Sequence, residues 1–167
     1  LNLSLVGTSF DQMVVDLLDE AYEQGVIVVA AAGNNGVNLN ISKTYPACYD
    51  GHGAATVIGV GALTDDFKRP SFSNYGSDCV DIVAPGVKIF TTRNVQPGFK
   101  SQDQYAALFS GTSFAAPQVA GVVALMKALH PSLTADEALF LLQQGSTRLD
   151  ESALASGFAY ALNAAGT

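Results

Sequence analysis

Basic charge, histidine and cysteine are all scarce in this chain, and each scarcity excludes something. Lys and Arg total 8 against 15 Asp and Glu, giving a formal net charge of −7. The few basic residues form no cluster, so nothing draws in a phosphate backbone and no nucleic-acid partner is expected. Two histidines and two cysteines, scattered along the chain, lack the ligand spacing of a zinc site. No uninterrupted apolar run reaches the roughly 18 residues of a membrane span, so no membrane partner is expected either. Internal repeats and low-complexity tracts are absent. Charged residues make up only 14 % and hydrophobic residues 49 %, which argues for a well-buried fold and against disorder. The 167 residues suffice for one domain with a sizeable core, taken as 1–167.

What is present reads as alternating strands and helices. Leu1 to Val6 alternates apolar and polar residues as a short strand. Ser9 to Gln24 has apolar residues at helical spacing, a capping box in Ser9 and Gln12, and a stop at Gly25. Val26 to Ala32 and Thr56 to Ala62 are continuous apolar runs, as parallel strands buried on both faces require. Val80 to Ala84 and Val87 to Thr92 flank Pro85-Gly86 as short strands, and 93–104 reads as a surface loop. Thr134 with Glu137 forms a second capping box that opens a helix through about Gln144. This order predicts an α/β fold.

The densest chemistry lies in Phe109 to Gly121, FSGTSFAAPQVAG. Gly111 permits a tight turn into a helix, and Ser113 falls at or beside the helix start, where unpaired N–H groups point outward. Such a serine is either a helix cap or a nucleophile with an oxyanion donor beside it. The strand Val26 to Ala32 ends in Gly33-Asn34-Asn35-Gly36, which by itself is either a plain turn or the end of a site-bearing strand. A dinucleotide site would need a GxGxxG turn after that strand, and there is none.

Taken together, GTSFAAPQVAG (111–121), AAAGNNG (30–36), FSNYG (72–76) and VAPGV (83–87) resemble, in this order, the motifs of the subtilisin-like serine proteases, the subtilases. The resemblance runs from Leu1 to about Gly166 and covers only the later part of such a catalytic domain. It implies a three-layer fold, with a mostly parallel sheet, helices on both faces and an N-terminal part missing. It further implies a serine endopeptidase that cleaves peptide bonds through an acyl-enzyme on Ser113, with Asn34 and the Ser113 N–H as oxyanion donors. Extended substrate would add as a strand along Ser4, Leu5 and Val6. Ala31, Ala32 and Gly33 would form one wall of the primary specificity pocket, their small size leaving room for a large side chain. The family has a small residue where Val6 stands.

The same resemblance sets the remaining expectations. Family order is Asp, His, oxyanion Asn, Ser, so His52 falls too late to be the base and His130 sits at a helix end. The catalytic Asp and His are then expected from the missing N-terminal part, which becomes a partner of this chain, and the chain by itself is expected to be inactive. The alternative is a non-catalytic peptide-docking or scaffold module of subtilase shape. A Cys48–Cys79 disulfide and an extracellular location are implied. No organic cofactor is. In some relatives a carboxylate at the position of Asp81 helps hold a structural calcium with carbonyls near 53–56, but one carboxylate does not commit this chain to a metal.

Overall fold

The computed structural model describes residues 1–9, 11–53, 55–92, 105–149 and 160–163. The expected loop 93–104 therefore lies outside the described residues, as does most of 157–165, which resembles the closing segment of the family's catalytic domain.

Strands β1 (Asn2–Leu3), β2 (Val29–Ala31), β3 (Ile58–Leu63) and β4 (Ile82–Pro85) lie side by side and parallel. Strand β8 (Tyr160–Ala161) continues the sheet parallel to β4, and β7 (Thr147–Arg148) closes it antiparallel to β8, giving the order β1-β2-β3-β4-β8-β7. Strands β5 (Ile89–Thr92) and β6 (Tyr105–Phe109) form a separate antiparallel pair. Helix α1 (Gln12–Glu23) joins β1 to β2; α2 (Thr112–Leu129) and α3 (Ala135–Gly145) follow β6.

The continuous apolar runs have a simple cause. Around β2, Val29 and Ala31 enter the core cluster that also holds Ala115, Ala116, Val119 and Val123 of α2 and Ala138, Leu139 and Leu142 of α3. Val28 and Ala30 enter the opposite cluster, with Leu18 of α1. Alternate side chains point to opposite faces, so a strand covered on both faces must be apolar throughout. Helices thus lie on both faces of a mostly parallel sheet. At Gly59 a Cβ would fall 1.9 Å from the Cys79 carbonyl oxygen, so only glycine lets β3 and the chain entering β4 approach this closely.

Several boundaries differ from expectation. The β1 ladder stops at Leu3, because beyond it the chain leaves β2 and Gly7 pairs instead with Tyr45. Helix α1 is capped by Asp11, whose carboxylate accepts the Met13 N–H at 2.9 Å, and not by Ser9. On α1 only Leu18 is buried, while Met13, Val14 and Leu17 are exposed. Helix α2 is long and apolar enough, by length and composition, to cross a membrane, against the expectation of no such segment. It seats Thr112, Ala115, Ala116, Val119 and Val123 against β2, β3 and β4, as a core helix does. The Thr134–Glu137 capping box on α3 is complete.

Candidate active site

Ser113 is the second residue of α2. The chain reaches it through the β5–β6 pair, whose end is tied to β4 by the Gly111 N–H on the Gly86 carbonyl at 2.8 Å. Position 113 puts its backbone N–H in the first helical turn, which has no intrahelical acceptor to offer it. Four residues on stands Pro117, which has no N–H to give the Ser113 carbonyl. That carbonyl instead accepts the Ser4 hydroxyl at 2.9 Å. The Ser113 hydroxyl points back toward the Ser4 carbonyl at 3.5 Å, a long and weak contact that leaves it available. The nucleophile candidate is therefore fastened to the chain that leaves β1, 109 residues away.

Asn34 follows β2 at its carboxyl end. Its side-chain oxygen accepts both the Thr112 N–H at 2.9 Å and the Thr112 hydroxyl at 3.1 Å. The Thr112 oxygen in turn accepts the Gly33 N–H at 3.1 Å. With the oxygen committed to Thr112, the Asn34 NH₂ is the end of the amide left to donate; it lies 3.4 Å from where a Gly111 Cβ would stand, two residues before Ser113. Asn34 is exposed and Ser113 partly so, and reactants can reach both.

A third residue holds this loop. Asn74 is fully buried; its NH₂ donates to the Ala32 carbonyl at 2.9 Å, and its oxygen accepts the N–H groups of Asn35 and Val37 at 3.0 and 3.1 Å. Thr44 adds a hydroxyl on the Ala32 carbonyl at 2.9 Å. Sequence reasoning gave neither Thr112 nor Asn74 a role, although both stand inside the quoted motifs. A polar residue with no exposed surface was the signal, and burial cannot be read from polarity.

The other expected residues fall as follows. Ser4, Leu5 and Val6 are exposed, Ser4 is bonded to Ser113, and a Cβ on Gly33 would stand 3.3 Å from Val6 Cγ1. Ala31 and Ala32 are wholly buried, one in each of two core clusters. Cys48 and Cys79 are joined by a disulfide across 4.6 Å between α-carbons. His130 caps the far end of α2, about 25 Å from Ser113 at 1.5 Å per residue. His52 stacks on Tyr22 and pairs with Asp19 at 3.2 Å. Asp19 also accepts the Tyr49 hydroxyl at 2.6 Å, and that bond, with some burial, pushes the Tyr49 pKa up to about 12. His52 is a structural link between α1 and its neighbouring loop.

The carboxylate and the carbonyls at which some relatives hold a calcium have hydrogen-bond partners of their own here. Asp81 is already bonded to the Gly59 N–H at 2.7 Å, and the Gly53 carbonyl already accepts two hydrogen bonds from Thr56. Among the described residues no group of three or more His, Cys, Asp or Glu could hold a metal, whereas calcium takes about 6–8 oxygens.

Comparison with known proteins points one way. The model of the subtilase family matches residues 1–160. Subtilisin DY of Bacillus licheniformis is 37 % identical over 153 residues, which are 91 % of this chain and 51 % of that protein. M-protease of Shouchella clausii is 44 % identical over 131 residues, 78 % of this chain and 30 % of that protein. Among solved structures, a cold-adapted subtilisin-like serine proteinase superposes with a TM-score of 0.79 at 30 % identity, covering 99 % of this chain and 55 % of that one. The chain thus spans about half the length of the first of these relatives and of the solved structure, and less of the second.

Proposed function

The chain belongs to the subtilase family, and from that premise we propose that it carries the nucleophile and oxyanion half of a serine endopeptidase site. Ser113 attacks the scissile carbonyl of a polypeptide. The Asn34 NH₂ and the Ser113 N–H receive the negative charge on its oxygen. A histidine from the part of the protein preceding Leu1, held in the right tautomer by an aspartate from the same part, takes the Ser113 proton and returns it to the leaving amine. Water then releases the acyl group from Ser113. Substrate lies extended along Ser4 to Val6, as an added strand. The chain alone is a poor protease, because an unactivated hydroxyl is a weak nucleophile. The Cys48–Cys79 disulfide supports an extracellular location, since such bonds persist in oxidising compartments.

The observation that carries this reading is the orientation of Asn34. Thr112, the residue before Ser113, takes its oxygen and leaves its two N–H donors for another acceptor. A helix cap needs no such partner. The second reading, a peptide-docking module, draws on the placement of His52 and His130 in structural bonds away from Ser113. Fluorophosphonate labelling and peptide hydrolysis separate the two. The native full-length protein should label at Ser113 and cleave peptides, and Ser113→Ala should lose both, while residues 1–167 alone should cleave poorly. A full-length protein that binds peptides without labelling or cleavage would favour the docking module.

A further inference from the structure

We infer that Gln118 is a positioning residue for Ser113: its amide ties the first turn of α2 to the end of β4 and so sets where the serine stands. This rests on the protease reading and deepens it.

In an α-helix each carbonyl is normally served by the N–H four residues on. The residue due to serve Ser113 is Pro117, which has no N–H. The turn that carries the serine is therefore short of one backbone bond, and side chains hold it instead. The Ser4 hydroxyl donates to the Ser113 carbonyl at 2.9 Å. Gln118, half-buried and next after the proline, folds back and donates from Nε2 to the Phe114 carbonyl at 2.8 Å. The same NH₂ also donates to the Pro85 carbonyl at 2.6 Å. Both acceptors are carbonyls, so only the nitrogen end of the amide can serve here, and its two hydrogens are both used.

Pro85 is the last residue of β4. The carbonyl that follows it, that of Gly86, accepts the Gly111 N–H at 2.8 Å. Two consecutive carbonyls thus hold the chain on either side of Ser113, one through residue 111 and the other through residue 118. The Gly86 N–H is bonded in turn to the Leu63 carbonyl of β3 at 2.9 Å, so the anchor belongs to the sheet. A Cβ on Gly86 would fall 2.5 Å from the Ala62 Cβ and 3.1 Å from the Gly111 carbonyl oxygen, which leaves the joint little slack. Asn34 follows β2 in the same sheet. The tie through Gln118 therefore helps fix the spacing between serine and oxyanion donor, and without it only the Gly111 side stays fastened to β4. A misplacement of about 1 Å can cost on the order of a hundredfold in rate. Pro85 is exposed, so water can take over its carbonyl once the amide is gone, and the cost falls on geometry more than on stability.

The test uses the native full-length protein. Gln118→Met keeps the length of the side chain without its donors. Gln118→Lys keeps donors that can reach both carbonyls. Thr134→Ala, which breaks the α3 capping box beyond the far end of α2, is the control for stability alone. Gln118→Met should lower kcat and the rate of fluorophosphonate labelling at Ser113 by about tenfold, with KM changed by less than about twofold. Gln118→Lys should recover most of that loss. Thr134→Ala should unfold at lower urea with kcat unchanged. Amide hydrogen exchange, which needs no turnover, should quicken at Thr112 and Phe114 in Gln118→Met. Wild-type kcat in Gln118→Met, a Gln118→Lys no better than Gln118→Met, or a kcat loss that Thr134→Ala reproduces overturns the inference, as does unchanged exchange at Thr112 and Phe114. A wild type that neither labels nor cleaves, with exchange there still quickened by Gln118→Met, would overturn the protease reading and leave the tie between α2 and β4 standing.

Discussion

The Asn34 side-chain oxygen accepts two hydrogen bonds from one residue, Thr112, through its N–H at 2.9 Å and its hydroxyl at 3.1 Å. This fixes which end of the amide faces the site, and it joins the end of β2 to the start of α2. The proposed nucleophile, Ser113, is the next residue, so it and the proposed oxyanion donor share one anchor.

Thr112→Val keeps the shape and the backbone bond but removes the hydroxyl, leaving the Gly33 N–H unpaired in a buried place. A loss of about 1–3 kcal/mol in stability is expected. In the active full-length protein kcat should fall while KM changes little, because the loosened donor serves the transition state. Asn34→Ala should cost more. Removing the side-chain donor from the oxyanion hole of subtilisin costs about 10²–10³ in turnover, a magnitude borrowed here from that relative. Equal kcat in the Thr112→Val variant and the wild type would separate Thr112 from catalysis.

Asn74→Ala removes a fully buried amide that joins the Ala32 carbonyl to the N–H groups of Asn35 and Val37. The N–H groups of Asn35 and Val37 lose their partner while the Ala32 carbonyl keeps the Thr44 hydroxyl, so about 2–4 kcal/mol of stability should go. Hydrogen exchange should quicken first at Asn35 and Val37, ahead of the strands. Unchanged exchange there would show that the loop holds its shape without Asn74.

The disulfide joins positions 31 apart in sequence. In the chain-entropy account a loop of that size contributes about 3–4 kcal/mol. Urea denaturation of the Cys48→Ser/Cys79→Ser double variant should shift by that order, and thiol titration of unreduced native protein should find neither Cys48 nor Cys79 free.

Burial raises the Asp81 pKa from its ordinary value to about 7, against the pull of the Gly59 N–H and with some help from Asp50. Between pH 4 and 7 the folded protein therefore holds more protons than the unfolded chain, so stability falls as pH rises through this window. Asp81→Asn can still accept the Gly59 N–H and should flatten that fall. With chelator present, the variant should gain about 1–2 kcal/mol over wild type at pH 8 and little at pH 4; the figure is kept low because Asp81 retains some exposed surface. A variant that gained nothing at pH 8 would show the carboxylate to be well solvated.

Much of this was legible in the sequence, for physical reasons. The runs at 26–32 and 56–62 are apolar on every residue because both sheet faces are covered, and no other short element has that signature. GTS and GNNG were readable because a turn of this sharpness restricts its residues. What escaped was whatever depended on a distant partner. The cap of α1 went to Asp11 over Ser9, a choice between two good capping residues two positions apart. Strand β6 pairs with β5 across the 93–104 segment, and nothing local announces it. The apolar stripe of α1 reads as buried, yet Met13, Val14 and Leu17 stand exposed because their surroundings, not their spacing, decide exposure. Val6 was marked only by standing where the family has a small residue, and its place near Gly33 could come from the fold alone.

The bonds that make the site join residues 78, 79 and 109 positions apart, and none of its key pairs is local. Closing such long loops comes late in folding, after the helices and the local turns have formed. A chain still emerging from synthesis, or one only partly collapsed, therefore carries Ser113 before Asn34 and Ser4 are set in place around it.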